Sequence, residues 1–82
     1  MNLSDHPRIS VDPRVLSGKP AIRGTRVPVF VLVQMAAEGM TLDDLVGPRG
    51  YPFLELDDVR AALAFAADLS RDPKFEVVAA AA

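Results

Sequence analysis

Nine residues toward the C-terminal end, Val59-Arg60-Ala61-Ala62-Leu63-Ala64-Phe65-Ala66-Ala67, carry one charge among eight apolar side chains. As a helix they make about two and a half turns with no polar face. A helix that is apolar all round is a buried helix. The whole chain has 82 residues, and a domain of that size buries only about 60% of its unfolded surface. Half of its residues are apolar, but twelve of those are alanine, which buries little area. Small scaffolds of this kind usually add a disulfide, a metal or a second subunit. There is no cysteine and one histidine, His6, so disulfides and the common Cys/His zinc sites are excluded. Association remains. The last helix is expected to meet another subunit or another protein, with Val59, Ala62, Leu63, Phe65, Ala66 and Leu69 as the candidate interface.

That helix is expected from about Leu56 to Leu69, with Glu55, Asp57 and Asp58 at its start and Asp72-Pro73 as its stop. Two helices precede it. Val27, Val29, Phe30, Val31 and Val33 are strand-formers, yet Pro28 suits a first helical position and Gly39 the position past a helix end. Val29, Leu32, Val33, Ala36 and Met40 recur at helical spacing, which predicts a helix from Pro28 to Glu38. Phe30, Val31 and Met35 fall outside that stripe, so this helix is apolar over more than one face. Thr41-Leu42-Asp43-Asp44 reads as a cap and first turn. Its short helix turns Leu42, Leu45 and Val46 inward and ends at Gly47-Pro48. Tyr51 and Phe53 are expected to plug the space beneath the last helix.

Upstream, Ile9-Ser10-Val11 and Ala21-Ile22-Arg23 read as a two-stranded ribbon, which is marginal alone and must pack on the helices. Lys74 to Val78 alternates weakly and reads as a strand that could be added to a partner, and Ala79 to Ala82 as frayed. The expected class is mainly α, three helices with a small N-terminal β element, in one domain. The β element and loop occupy 8–27, the helical core 28–70 and a tail 71–82.

The formal net charge of −2 is a sum of opposed blocks. Residues 7–26 carry Arg8, Arg14, Lys19, Arg23 and Arg26 against Asp12, a balance of +4. Residues 27–60 carry Arg49 and Arg60 against six acids, a balance of −4. Two readings stay open. In one, the basic segment lies across the acidic helices, and Arg23 and Arg26 pair with Asp43, Asp44, Asp57 or Asp58. In the other, it is a footprint for phosphates: Arg8, Arg14, Lys19, Arg23 and Arg26 contact DNA and Arg49 adds a backbone contact. The last helix is a poor reader of bases either way, because Glu55, Asp57 and Asp58 stand at its N-terminal end.

Nothing points to catalysis, a metal or a cofactor. Asp43-Asp44 and Asp57-Asp58 sit at helix starts, where the helix dipole accounts for them. Thr25 has no base to activate it and reads as a turn hydroxyl. His6 falls in a stretch expected to be solvated. No apolar run approaches the ~20 residues of a membrane span, and the N-terminus lacks a secretory pattern. A cytoplasmic protein is expected.

The most distinctive stretch is Gly18-Lys19-Pro20-Ala21-Ile22-Arg23-Gly24-Thr25-Arg26-Val27-Pro28-Val29. It is not a phosphate-binding P-loop, which needs Lys and Ser or Thr directly after its second glycine. At these residues the chain resembles a small bacterial family catalogued as domain of unknown function 433, with the hallmark G-K-P-x-I-x-G-T-R-x-P-V. An apolar helix, a Gly, a Thr-capped short helix, a "YP-x-L" segment and an Ala-rich last helix follow the hallmark. Here those parts are Val29 to Glu38, Gly39, Thr41 to Val46, Tyr51-Pro52-Phe53-Leu54, and Asp58-Val59 onward, so the resemblance covers Ile9 to Leu69. Family members are similar to VapB-type antitoxins of bacterial toxin–antitoxin pairs. The resemblance implies a homeodomain-like helix-turn-helix after a small β element. It also implies a homodimer that neutralises a PIN-like nuclease toxin and represses its own operator. Two departures stand out: Gly47 to Gly50 lengthens the link into "YP", and Glu55 replaces a Thr cap. The competing expectation is a protein–protein interaction module with no DNA role.

Overall fold

The computed structural model describes residues 1–74. Where the chain becomes helical is decided by its glycines and caps. Helix α1 spans Val29–Ala37. Gly39 takes φ +102° just beyond it, a left-handed conformation that glycine adopts without strain. There the Gly39 N–H donates to the Ala36 carbonyl at 3.0 Å and the Met40 N–H to the Met35 carbonyl at 3.2 Å. This paired closure satisfies carbonyls that the helix end would leave open.

Helix α2 spans Leu42–Leu45. The Thr41 hydroxyl accepts from the Asp44 N–H at 3.1 Å, and the Asp44 carboxylate accepts from the Thr41 N–H at 3.2 Å. That reciprocal pair nucleates a turn too short to hold itself. The loop beyond is pinned where the Tyr51 N–H donates to the Leu45 carbonyl at 2.7 Å. A Cβ at Gly50 would collide with that same carbonyl, so the tight return requires glycine. Helix α3 spans Leu56–Arg71, and the Asp58 carboxylate accepts from the Glu55 N–H at 2.9 Å.

Strands β1, Ile9–Ser10, and β2, Ala21–Ile22, pair antiparallel with Ile9 opposite Ile22 and Ser10 opposite Ala21. The ribbon runs directly into α1, because Pro28 bridges Ala21 and the Val29 N–H donates to the Pro20 carbonyl at 2.9 Å. The core is drawn from every element: Ile9 of the ribbon, Leu32 of α1, Leu45 of α2 and Val59 of α3 are wholly buried. The fold is therefore three helices with a small two-stranded sheet against α3. No helix among the described residues is long and apolar enough to cross a membrane.

Three expectations change. The last helix is not buried all round: Val59, Ala62 and Phe65 face the core, while Arg60, Ala64 and Ala67 are exposed. Alanine methyls lose little by facing water, so a run of them does not mark a buried face. Val59 and Ala62 thus lie wholly within the chain's own core and are closed to a partner. Phe53 is 66% exposed and plugs nothing. Tyr51, edge-on to it at 6.0 Å, does pack partly buried against the core, and the residue buried within the core here is Leu54. The strand expected over 74–78 lies, from Phe75 onward, outside the described residues, as does the fraying of Ala79 to Ala82.

Candidate functional site

The cations of the first third divide: Arg8 goes to α3, while Arg23 and Arg26 line a hollow with Asp12, the partner of Arg14. Arg8 lies against the start of α3, with Nη1 donating to Asp58 Oδ1 at 2.8 Å and approaching Glu55 Oε2 at 3.6 Å. Its Nη2 is 3.9 Å from Asp57 Oδ2. The hydrogen bond to Asp58, and the carboxylates around it, raise the Arg8 pKa further above its ordinary value. Arg14 folds back onto Asp12 through Nε at 3.1 Å and Nη2 at 3.0 Å, and this fork holds the Asp12 carboxyl below its usual range.

Arg23 donates from Nε to the Pro7 carbonyl at 2.8 Å and from Nη2 to the Ile9 carbonyl at 3.0 Å. It fixes backbone and pairs with no carboxylate among the described residues, so the ion-pair reading is not met at Asp43, Asp44, Asp57 or Asp58. Arg26 makes no ion pair or hydrogen bond among the described residues, so that expectation fails for it too. Three of the four carboxylates have other partners: Asp57 and Asp58 are engaged by Arg8, Arg60 bonds Asp57 at 3.3 Å, and Asp44 caps α2, while Asp43 is exposed and pairs with neither arginine. Lys19, Arg26 and Arg49 are exposed and unpaired among the described residues. Arg23 and Arg26 share one hollow of about 490 Å³ with Asp12, and Gly24 and Thr25 lie between them. The Thr25 hydroxyl serves the turn, donating to the Ile22 carbonyl at 2.8 Å and accepting from the Val27 N–H at 3.0 Å.

His6 is not solvated. It is 8% exposed, and its ring meets Phe65 edge-on with centroids 5.4 Å apart. Nε2 lies 2.7 Å from Asp68 Oδ2. An ionised carboxylate only accepts, so the ring N–H is the donor. This bond, ahead of the charges of His6, Arg71 and the N-terminus, lowers the Asp68 pKa. The Met1 amino group lies 3.4 Å from Asp72. Residues 1–8 therefore form a strap along one flank of α3. One available signal was spacing: Asp68 stands one turn beyond Phe65, so a group packed on that ring meets a carboxylate.

The other flank of α3 is bare carbon. Between α1 and α3 runs a groove of about 640 Å³. Its floor is Val29 and Phe65, and its walls are Val33 and Ala37 of α1 with Ala66 and Leu69 of α3. Phe30 on the rim is 54% exposed and Leu69 41%. Among the described residues, the polar side chains on the groove are Lys19 and Gln34. Of the residues expected at an interface, Phe65, Ala66 and Leu69 line this groove, while Leu63 packs partly buried against the core. Phe30 and Val33 were not in that expectation. The signal for them was the second apolar face of α1. Among the described residues this lining is nearly all carbon, a surface suited to contact with another apolar surface.

Residues 9–66 match the family described as "Protein of unknown function (DUF433)". The chain is similar to "Uncharacterized protein y4eO" of Sinorhizobium fredii (strain NBRC 101917 / NGR234), 31% identical over 58 residues. That alignment takes in 71% of this chain and 25% of the relative, so the chain spans about a quarter of the length of the curated relative it matches. It is also similar to the crystal structure of a DUF433 member protein from Anabaena variabilis ATCC 29413. The TM-score is 0.68 at 29% identity, covering 80% of this chain and 72% of that one.

Proposed function

The chain belongs to the DUF433 family, and from that premise we propose that it is a protein-interaction module whose docking surface is the groove between α1 and α3. One observation carries the reading: an apolar groove with Phe30 54% and Leu69 41% exposed at its rim. Exposed carbon of that kind is costly to keep unless something covers it. Aromatic anchors beside apolar pockets are the usual energetic centre of protein interfaces. The basic segment meanwhile spends Arg8 and Arg14 on carboxylates within the chain, which removes them from a phosphate footprint.

A second reading makes that partner a PIN-like nuclease toxin and the chain its VapB-like antitoxin, a dimeric, homeodomain-like helix-turn-helix protein on its own operator. The order of a short α2 and a long α3 after α1 supports it, as does the hollow carrying Arg23 and Arg26. The acids at the start of α3 oppose base reading by that helix, so DNA would meet the Gly24-Thr25-Arg26 turn instead.

Salt separates the readings. An apolar interface persists as salt rises, whereas phosphate contacts weaken steeply. Co-purification with the product of the neighbouring gene should survive about 1 M salt and be lost in Phe30→Glu. A salt-sensitive gel shift on the upstream DNA, abolished by Arg23→Ala with Arg26→Ala and indifferent to Phe30→Glu, would replace the module reading with the DNA reading.

A further inference from the structure

We propose that the groove is filled by a second copy of this chain, the two α1 helices lying antiparallel across a two-fold axis with each Phe30 seated in the other copy's groove. This rests on the reading of the groove as a protein-docking surface, and it names the partner.

The geometry is self-complementary. A two-fold interface places the same patch on both sides, so a patch must offer both a knob and a hole. Phe30 is the knob, half exposed on the rim of the hole formed by Val33, Ala37, Ala66 and Leu69. Groove-facing residues of α1 recur as Phe30, Val33, Gln34 and Ala37, and Glu38 joins that stripe because Gln34 Nε2 donates to Glu38 Oε1 at 3.2 Å. Glu38 therefore marks the C-terminal end of the stripe. Lys19 marks the other end, since it lines the groove beside Pro20, whose carbonyl accepts from the Val29 N–H. An antiparallel pair centred near Gln34 sets each Lys19 against the other copy's Glu38.

The helix dipoles give the same answer. Both α2 and α3 have acids in the first turn, and α3 has Arg71 in its last. Helix α1 has no acid in its first turn, no base in its last and no side-chain cap. Within one copy, Lys19 stands at the positive end of α1 and Glu38 at the negative end, each the unfavourable place. In the antiparallel pair each charge gains the opposite, favourable end of its neighbour's helix. Glu55, Asp57 and Asp58 lie at the start of α3 under Arg8, so that acidic cluster is partly compensated within each copy.

Sedimentation equilibrium of the intact chain across micromolar concentrations tests this. A concentration-dependent dimer is expected. Phe30→Glu should raise its Kd at least about 30-fold, as for a central aromatic anchor, with unchanged helical circular dichroism because the side chain is half exposed. Lys19→Glu should weaken the dimer roughly fivefold, since two rim pairs are lost at once, and Lys19→Glu with Glu38→Lys should restore it. A dimer indifferent to Phe30→Glu, or a double variant no tighter than Lys19→Glu alone, overturns this pairing. A monomer at every concentration also overturns it. If the monomer still binds the neighbouring gene's product through Phe30, the docking reading stands without the dimer. If Phe30→Glu is silent in both assays, both fail.

Discussion

The two flanks of α3 are finished in opposite ways. Along one, residues 1–8 lay a charged strap over acidic side chains: Met1 on Asp72, His6 on Asp68, Arg8 on Asp58. Along the other, Phe65, Ala66 and Leu69 border a groove of exposed carbon. A polar flank can be completed within one small chain, because a few hydrogen bonds and ion pairs satisfy it. An apolar flank needs area, and a chain of 82 residues with twelve alanines has little to spare. The chain closes the flank that needs few atoms and leaves the one that needs many. On the reading proposed above, the association first expected of α3 as a whole would involve one of its flanks and would pass through α1.

The largest expected break lies within α1, where one side serves the fold and the other the groove. Leu32 is wholly buried and Phe30 is 54% exposed. Leu32→Ala should cost about 2–5 kcal/mol in urea denaturation, the range for a buried leucine truncation. Phe30→Ala, measured at a dilution where the chain is monomeric, should cost less than about 1 kcal/mol. Equal costs would mean that Phe30 belongs to the core and the groove is not a separate surface.

Next in size is the strap itself. His6→Ala removes a 2.7 Å hydrogen bond and an edge contact on Phe65. Asp68 is partly exposed and can turn to water, so the expected loss is about 1–3 kcal/mol. A loss below about 0.5 kcal/mol, within the usual range for surface sites, would show that the strap merely rests on α3.

How these parts were legible follows the range of the interaction. Pro28, Gly39 and the Thr41–Asp44 cap are local signals, and the helix ends sit within a residue or two of where they place them. The ribbon was likewise marked by its own alternation and turn. His6 was misplaced because its partners, Phe65 and Asp68, are about sixty residues away: their spacing offers a site for a ring, but nothing beside His6 says that it fills it. The same holds for Arg23, whose partners are backbone carbonyls and so carry no side-chain signature. The α3 error was different in kind. Counting alanine as apolar is right for propensity and wrong for burial, since a methyl group in water costs little.

The strap also gives its flank a pH dependence that the groove lacks. Asp68 and Asp72 both titrate below the usual carboxylate range, Asp68 chiefly through the His6 hydrogen bond and Asp72 chiefly through the Lys74 N–H. A carboxylate held below its unfolded value of about 4 contributes stability that is fully present above that pH. The contribution is lost as pH falls through the folded value. Urea midpoints should therefore drop below about pH 4, and Asp68→Asn should flatten that acid limb. A limb unchanged by Asp68→Asn would assign the acid loss to other carboxylates.

The smallest effects divide the basic block itself. Arg8 faces three acids at the start of α3, while Arg26 has no polar partner among the described residues. Arg8→Ala leaves Glu55, Asp57 and Asp58 repelling one another beside the strap, so it should lower the urea midpoint at low salt. Adding salt should shrink that deficit, because partly exposed ion pairs are screened. Arg26→Ala should shift stability by no more than about 0.5 kcal/mol at any salt. A deficit for Arg26→Ala as large as that for Arg8→Ala would mean that the Gly24-Thr25-Arg26 turn is held by its charge. Its arginine would then no longer be free to meet a phosphate, which removes the strongest remaining support for contact with DNA.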